Sequence, residues 1–256
     1  MESKREIVRD WLPRYTGTPL EGFGKYILLT NFSNYVREFA ERFDVPVLGE
    51  DKPMQTASAG EMTIINFGIG SAMAATVMDL LSAVAPKAVV FLGKCGGLKK
   101  KIRAGDLILP IAGIRGEGTS NDYMPPEVPA LPSFSLQQSI SHAIEAHGMT
   151  YWTGTIYTTN RRVWEHDRAF KKYLREVRAT GIDMETATIF LVGFNNEIPR
   201  GALLLVSDNP MIPEGVKTEE SDARITAEYA TRHLAIGIDA MLHLIETGES
   251  VKHLRF

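Results

Sequence analysis

The chain carries a single cysteine, Cys95, so no intrachain disulfide can form and thiolate-rich metal sites are excluded. Its six histidines show no HExxH-type spacing, which gives no reason to expect a structural zinc, a metal-hydrolase centre or any cofactor. Neither sign of charge dominates. The 28 basic residues stand against 31 acidic ones, a net charge of −3, so nothing draws the chain as a whole to nucleic acid or an anionic membrane. No apolar stretch approaches the roughly 20 residues that span a bilayer. The charged start MESKREIVRDWLPRY also lacks a signal peptide's apolar core. A cytoplasmic protein with a small-molecule partner is expected.

What is present fits one sizeable core. The 256 residues are 44% hydrophobic, within the range of an ordinary globular enzyme. Short runs rich in Val, Ile and Leu predict strands at 25–30, 62–67, 88–93, 106–111, 154–158 and 201–207. Helical spacing lies between them: Val36, Phe39, Ala40 and Phe43; Leu136, Ile140, Ala143, Ile144 and His147; Phe170, Leu174 and Val177; and a final helix over about 221–246. Alternating strand and helix predict a single α/β domain over residues 1–256, with a mixed, mostly parallel sheet flanked by helices. The proline-rich YMPPEVPALPSF, 123–134, reads as a surface loop.

Two glycine clusters follow predicted strands. Gly68-Ile69-Gly70 is half of a dinucleotide fingerprint, but Met73 stands where the third glycine belongs and the next strand ends without an acid. Tight strand-to-helix packing explains it better than a nicotinamide site. Gly93-Lys94-Cys95-Gly96-Gly97 reads as a turn and is not a Walker motif, yet it sets Lys94 at a strand's carboxyl end, where α/β sheets bind ligands. Lys99–Lys101 reads as a solvated loop and Cys95 as a small buried filler.

The run LLLVSDNP, 203–210, ends an apolar strand on a carboxylate. Taken alone, Asp208 fits an Asx turn before Pro210 at least as well as it fits an acid whose pKa is raised by desolvation.

Three motifs in order, GKCGGLKKKIRAGDLILP, GIDMETATIF and LLLVSDNP, resemble the nucleoside phosphorylase and nucleosidase superfamily. TGTIYTTNRRVWEHD, SDNPMIPEGVKTEESD and the terminal GESVKHLRF are most similar to those members that hydrolyse AMP to adenine and ribose 5-phosphate, here to their catalytic part alone. The resemblance implies that Asp208 protonates the leaving purine, that Glu185 accepts hydrogen bonds from the ribose hydroxyls, and that Met184 packs on the sugar. Asp183 fits a helix-start role better than Glu185 does.

Phosphorolytic members hold phosphate with a glycine and an arginine after the first strand and an arginine and a serine at the glycine turn. Here Asn31 and Tyr35 fall at the first pair, and Phe91 and Lys94 at the second. Without the arginines, water is the expected nucleophile. Its activating base is Glu117 or Glu185. Arg161 and Arg162, helped by Lys94 or Lys217, are the expected 5′-phosphate ligands, and Trp164 the expected stacking face for adenine. Gly96 and Ser207 complete the substrate-binding set. A homo-oligomer, hexamer or dimer, is implied as well. A purine nucleoside phosphorylase and a non-catalytic nucleotide sensor are the alternatives.

Overall fold

The computed structural model describes residues 3–213 and 215–248. All of the GESVKHLRF motif beyond Gly248 lies outside the described residues. Because successive strand side chains point to opposite faces, each long strand feeds two cores. In β1 (Tyr26–Thr30), Ile27 and Leu29 join one core while Tyr26 and Leu28 join the other. In β4 (Ala88–Gly97), Val89 and Phe91 oppose Ala88, Val90 and Leu92. In β8 (Arg200–Asp208), Ala202, Leu204 and Val206 oppose Leu203 and Leu205. Strands buried on both faces need helices on both. Helices α1 (Lys4–Thr16), α3 (Ser71–Leu81) and α6 (Thr186–Asn195) cover the first core. On the other side lie α2 (Ser33–Phe43), α4 (Phe134–Ala146) and α7 (Glu219–Thr247). The short α5 (Arg168–Glu176) closes a smaller cluster around Tyr157, Trp164, Leu174 and Ile182.

The α/β architecture expected from the alternation is present, and its sheet is mixed. Strands β2 (Gln55–Ala59), β3 (Met62–Asn66), β1, β4, β7 (Gly181–Asp183), β6 (Tyr151–Thr159), β5 (Leu107–Gly116) and β8 follow in that spatial order. The run β3-β1-β4-β8 is parallel, as are β5–β6 and β6–β7, whereas β2–β3, β4–β7 and β5–β8 are antiparallel. Since β8 also pairs with β4, the strands β4, β7, β6, β5 and β8 close into a ring. That closure gathers the ends of β4, β6, β7 and β8 around one point.

One expectation changes. The glycine cluster 93–97 is not a turn: β4 continues through it, pairing Gly96 and Gly97 with Ile182 and Gly181 of β7. A side chain at Gly97 would strike Ile102, so the close approach that holds β4 to its neighbours needs glycine there. The charged N-terminus, for its part, forms α1, started by a capping box between Ser3 and Glu6 and docked through Val8 and Leu12. The 123–134 loop is present, ending where α4 begins at Phe134. Arg115 pins it by donating to the carbonyls of Met124, Pro125 and Val128.

Candidate active site

At the point where the ring strands end lies a pocket of about 270 Å³. Asp208, Glu185, Met184, Lys94, Gly96, Arg161, Arg162, Trp164 and Ser207 all line it, drawn from four strands and the loops after them. Lys217, weighed as a further phosphate ligand, lines it too. Sequence reasoning did not single out Phe32, Ile69, Thr159, Glu165 or Asp222 as lining residues. They come from separate segments, and no local pattern announces them.

Asp208 owes its position to an irregularity. Along the β4–β8 ladder Cys95 faces Val206 and Gly96 faces Asp208, so Ser207 is an extra residue. Such a bulge re-aims the side chains beside it. Ser207 Oγ stands 2.7 Å from Asp208 Oδ1 and 3.3 Å from the Cys95 carbonyl. The hydroxyl serves either protonation state: it donates to the carboxylate, or accepts from the carboxylic acid while donating to the carbonyl. Burial raises the Asp208 pKa, Ser207 and Lys217 counteract it, and Glu165 adds a smaller push upward. The Asx-turn role falls instead to Asn209. Its side-chain oxygen accepts from the Met211 amide, and its Nδ2 donates to the carbonyls of Lys99 and Ile102.

Glu185 is held by backbone. Gly70 N–H donates to Oε1 at 2.7 Å and Met184 N–H to Oε2 at 3.2 Å. Gly70 has φ 96°, a conformation that favours glycine, and the backbone there presents its amide to Glu185. The half-fingerprint is thus a carboxylate cradle. Asp183 caps the helix, accepting from Thr186 N–H, Thr186 Oγ1 and Thr158 Oγ1. Desolvation raises both carboxyls, Asp183's charge lifts Glu185 further, and the amide donors oppose the rise.

A stability prediction follows for Glu185. Its raised folded pKa means that, from the ordinary glutamate value near 4.3 up to the raised one, the folded state binds more protons than the unfolded state. Folding stability contributed by this group therefore falls as pH rises through that window. Glu185→Gln removes the effect. In thermal melts across pH, the variant's stability advantage over the parent should grow as pH rises through the window and then level off. A pH-independent difference would contradict this origin.

Other predicted residues lie elsewhere. Glu117 is 1% exposed and outside the pocket lining. It accepts from Thr188 Oγ1 at 2.9 Å and Ser120 N–H at 3.3 Å, so structural partners hold it outside the pocket. Tyr35 is buried, with its hydroxyl 2.8 Å from His233 Nδ1. His233 Nε2 donates to the Leu203 carbonyl, and burial takes the imidazole down to about 4, so it is neutral and Nδ1 accepts a hydrogen bond from the Tyr35 hydroxyl. Phe91 packs on Phe67 in the core, far in character from an anion ligand. Trp164 lines the pocket but is 5% exposed and meets Phe170 edge-on, so only part of its surface is offered. Arg161 and Arg162 pair with Asp167 and Glu165 at 3.0 and 3.6 Å. Lys99 donates to the Arg178 carbonyl at the surface, and Cys95 is buried with its thiol pushed up by desolvation, as a filler should be. Among the described residues no cluster could hold a metal ion, and no helix is long and apolar enough to cross a membrane.

A ring-closed α/β sheet with buried carboxylates at its strand ends defines a recognisable class. Residues 25–243 match the profile of the phosphorylase superfamily, and the chain belongs to it. It is similar to the AMP nucleosidase of Bacteroides thetaiotaomicron, 56% identical, with a TM-score of 0.87 over 97% of this chain and 100% of that one. It is also 29% identical to the AMP nucleosidase of Escherichia coli K12 over 90% of its length, spanning 57% of that longer relative. A uridine phosphorylase of Thermococcus kodakarensis is 27% identical over 68% of this chain and 67% of its own.

Proposed function

We propose that this protein hydrolyses the N-glycosidic bond of AMP to adenine and ribose 5-phosphate, and that residues 1–256 act as one catalytic domain. The observation that carries the reading is the pairing of Asp208 and Glu185 in one pocket, each a desolvated carboxyl in a different hydrogen-bonding environment. The strong likeness to the Bacteroides enzyme supports AMP as substrate.

Adenine leaves poorly as an anion, so it needs a proton as the bond stretches. Asp208, whose proton affinity burial raises, supplies it to a ring nitrogen, and Ser207 supports the carboxylate that remains. Positive charge then grows on the ribose. Glu185, fixed by two amides, accepts from the two secondary hydroxyls with Met184 against the sugar. Its charge is disfavoured in the empty pocket and matched by the oxocarbenium-like sugar, so its stabilisation is greatest in the transition state. Water completes the reaction at the anomeric carbon, with Glu185, which lines the pocket, as its base. Arg161 and Arg162 receive the 5′-phosphate by exchanging their surface carboxylate partners for it, Trp164 offers the pocket-facing part of its indole to adenine, and Gly96 lines the pocket beside Asp208. The reading extends to a cytoplasmic homo-oligomer that uses no cofactor.

Comparing AMP, adenosine and methylthioadenosine in phosphate-free buffer tests the substrate. AMP should exceed the two nucleosides in kcat/KM by at least about tenfold, the worth of one charged hydrogen bond to phosphate. Equal rates on adenosine would overturn the assignment.

A further inference from the structure

Four cations line the pocket and each faces a carboxylate. The two arginine pairs lie at the surface, where partners exchange at little cost. The lysines are different. Lys94 has a side chain only 6% exposed; its ammonium lies 3.1 Å from Asp222 Oδ1, donates to Thr226 Oγ1 at 2.6 Å and sits 4.7 Å from the Phe32 ring centroid. Lys217 reaches the same Asp222 oxygen at 3.6 Å. Asp222 and Thr226 are four residues apart in α7, so both project toward Lys94 from one helix face. Asp222 also stands in the first turn, where the helix favours a negative charge. Burial pushes its carboxyl up, but the two lysines more than offset this and hold it below the usual range.

Two ammonium groups converging on one oxygen are what a phosphate dianion would need. A carboxylate of the protein already holds that position. We propose that Asp222 selects the nucleophile: as an internal carboxylate it fills the anion position between Lys94 and Lys217, and so excludes inorganic phosphate from a pocket that remains open to water. The inference rests on the hydrolytic reading above. Were phosphate admitted, one of its oxygens would bond to the anomeric carbon as the C–N bond broke, its electron pair leaving on the purine with a proton from Asp208. Hydrogen phosphate's own proton would pass to solvent, from which Asp208 is recharged. The sugar product would be ribose 1,5-bisphosphate.

The test compares the parent with Asp222→Asn on AMP, with and without inorganic phosphate, following both sugar phosphates by phosphorus NMR. Parent turnover should ignore phosphate and yield ribose 5-phosphate alone. The variant should bind phosphate at least about tenfold more tightly, the equivalent of one charged hydrogen bond, and form ribose 1,5-bisphosphate. A variant that binds phosphate no better and forms only ribose 5-phosphate overturns the proposal. Asp222→Ala, which leaves space for an anion, supplies a readout independent of turnover: phosphate should raise its melting temperature, or restore its fold if it is unfolded without phosphate. Indifference to phosphate there counts against the proposal equally. If the parent itself needs phosphate to release adenine, the hydrolytic reading fails; if it does not and both variants ignore phosphate, this inference alone fails.

Discussion

Asp208→Asn is expected to lower the rate of adenine release from AMP by roughly 10²–10⁴-fold, the range that general-acid catalysis supplies. Asparagine keeps the shape and can still meet Ser207 at the bulge, but it carries no acidic proton. The fold should persist, because the replacement removes a group whose charge the site disfavours. The variant should bind AMP with little change while kcat falls, which separates proton donation from binding. A loss confined to KM would point to Asp208 as a binding residue only. The parent's kcat should also decline as pH rises through the raised pKa of Asp208, since the active form is the protonated one. Asp208→Asn should lack that decline.

Glu185→Gln should cost a comparable factor. Two charged hydrogen bonds to the ribose hydroxyls at roughly 1.5–3 kcal/mol each amount to about 10²–10⁴ in kcat/KM. An amide offers one acceptor where the carboxylate offers two oxygens, and no charge to meet the developing cation. The same variant is expected to gain stability above the ordinary carboxylate range, where the parent must ionise a buried acid beside Asp183. Lower activity together with higher stability distinguishes a strained functional carboxylate from a structural one. Glu117→Gln provides the contrast: its carboxylate bonds to Thr188 and Ser120 outside the pocket, so its replacement should move stability more than turnover.

Much of the fold was legible because it depends on local pattern. The apolar face of α2 appears at 33–43 as its spacing requires, and the buried run of β8 reads directly from ALLLV. Elements without such a pattern were silent. Strand β2, QTASA, is small and polar, and β7 is three residues long, held by its neighbours rather than by its own propensity. Helix α1 hid behind its charges, although Ser3 and Glu6 had the spacing of a capping box. Ring closure rests on pairings between strands distant in sequence and has no local signature.

The site divides in the same way. Asp208, Glu185, Lys94 and the arginines were identified by type and motif, and all of them line one pocket. Their partners were out of reach. Gly70 reaches Glu185 across 115 positions of sequence, and Asp222 reaches Lys94 across 128. The bulge at Ser207 depends on the register between two strands, which no single segment reveals. Glu117 sits in a glycine-flanked loop that reads as open, while the fold turns it inward onto α6, outside the pocket lining.

Hydrolysis of AMP by a site whose acid is Asp208 is tested most simply by product analysis with AMP in rigorously phosphate-free buffer. Adenine and ribose 5-phosphate are expected in equal amounts, at a rate that added phosphate does not raise. Adenine release that appears only with phosphate, accompanied by ribose 1,5-bisphosphate, would contradict it.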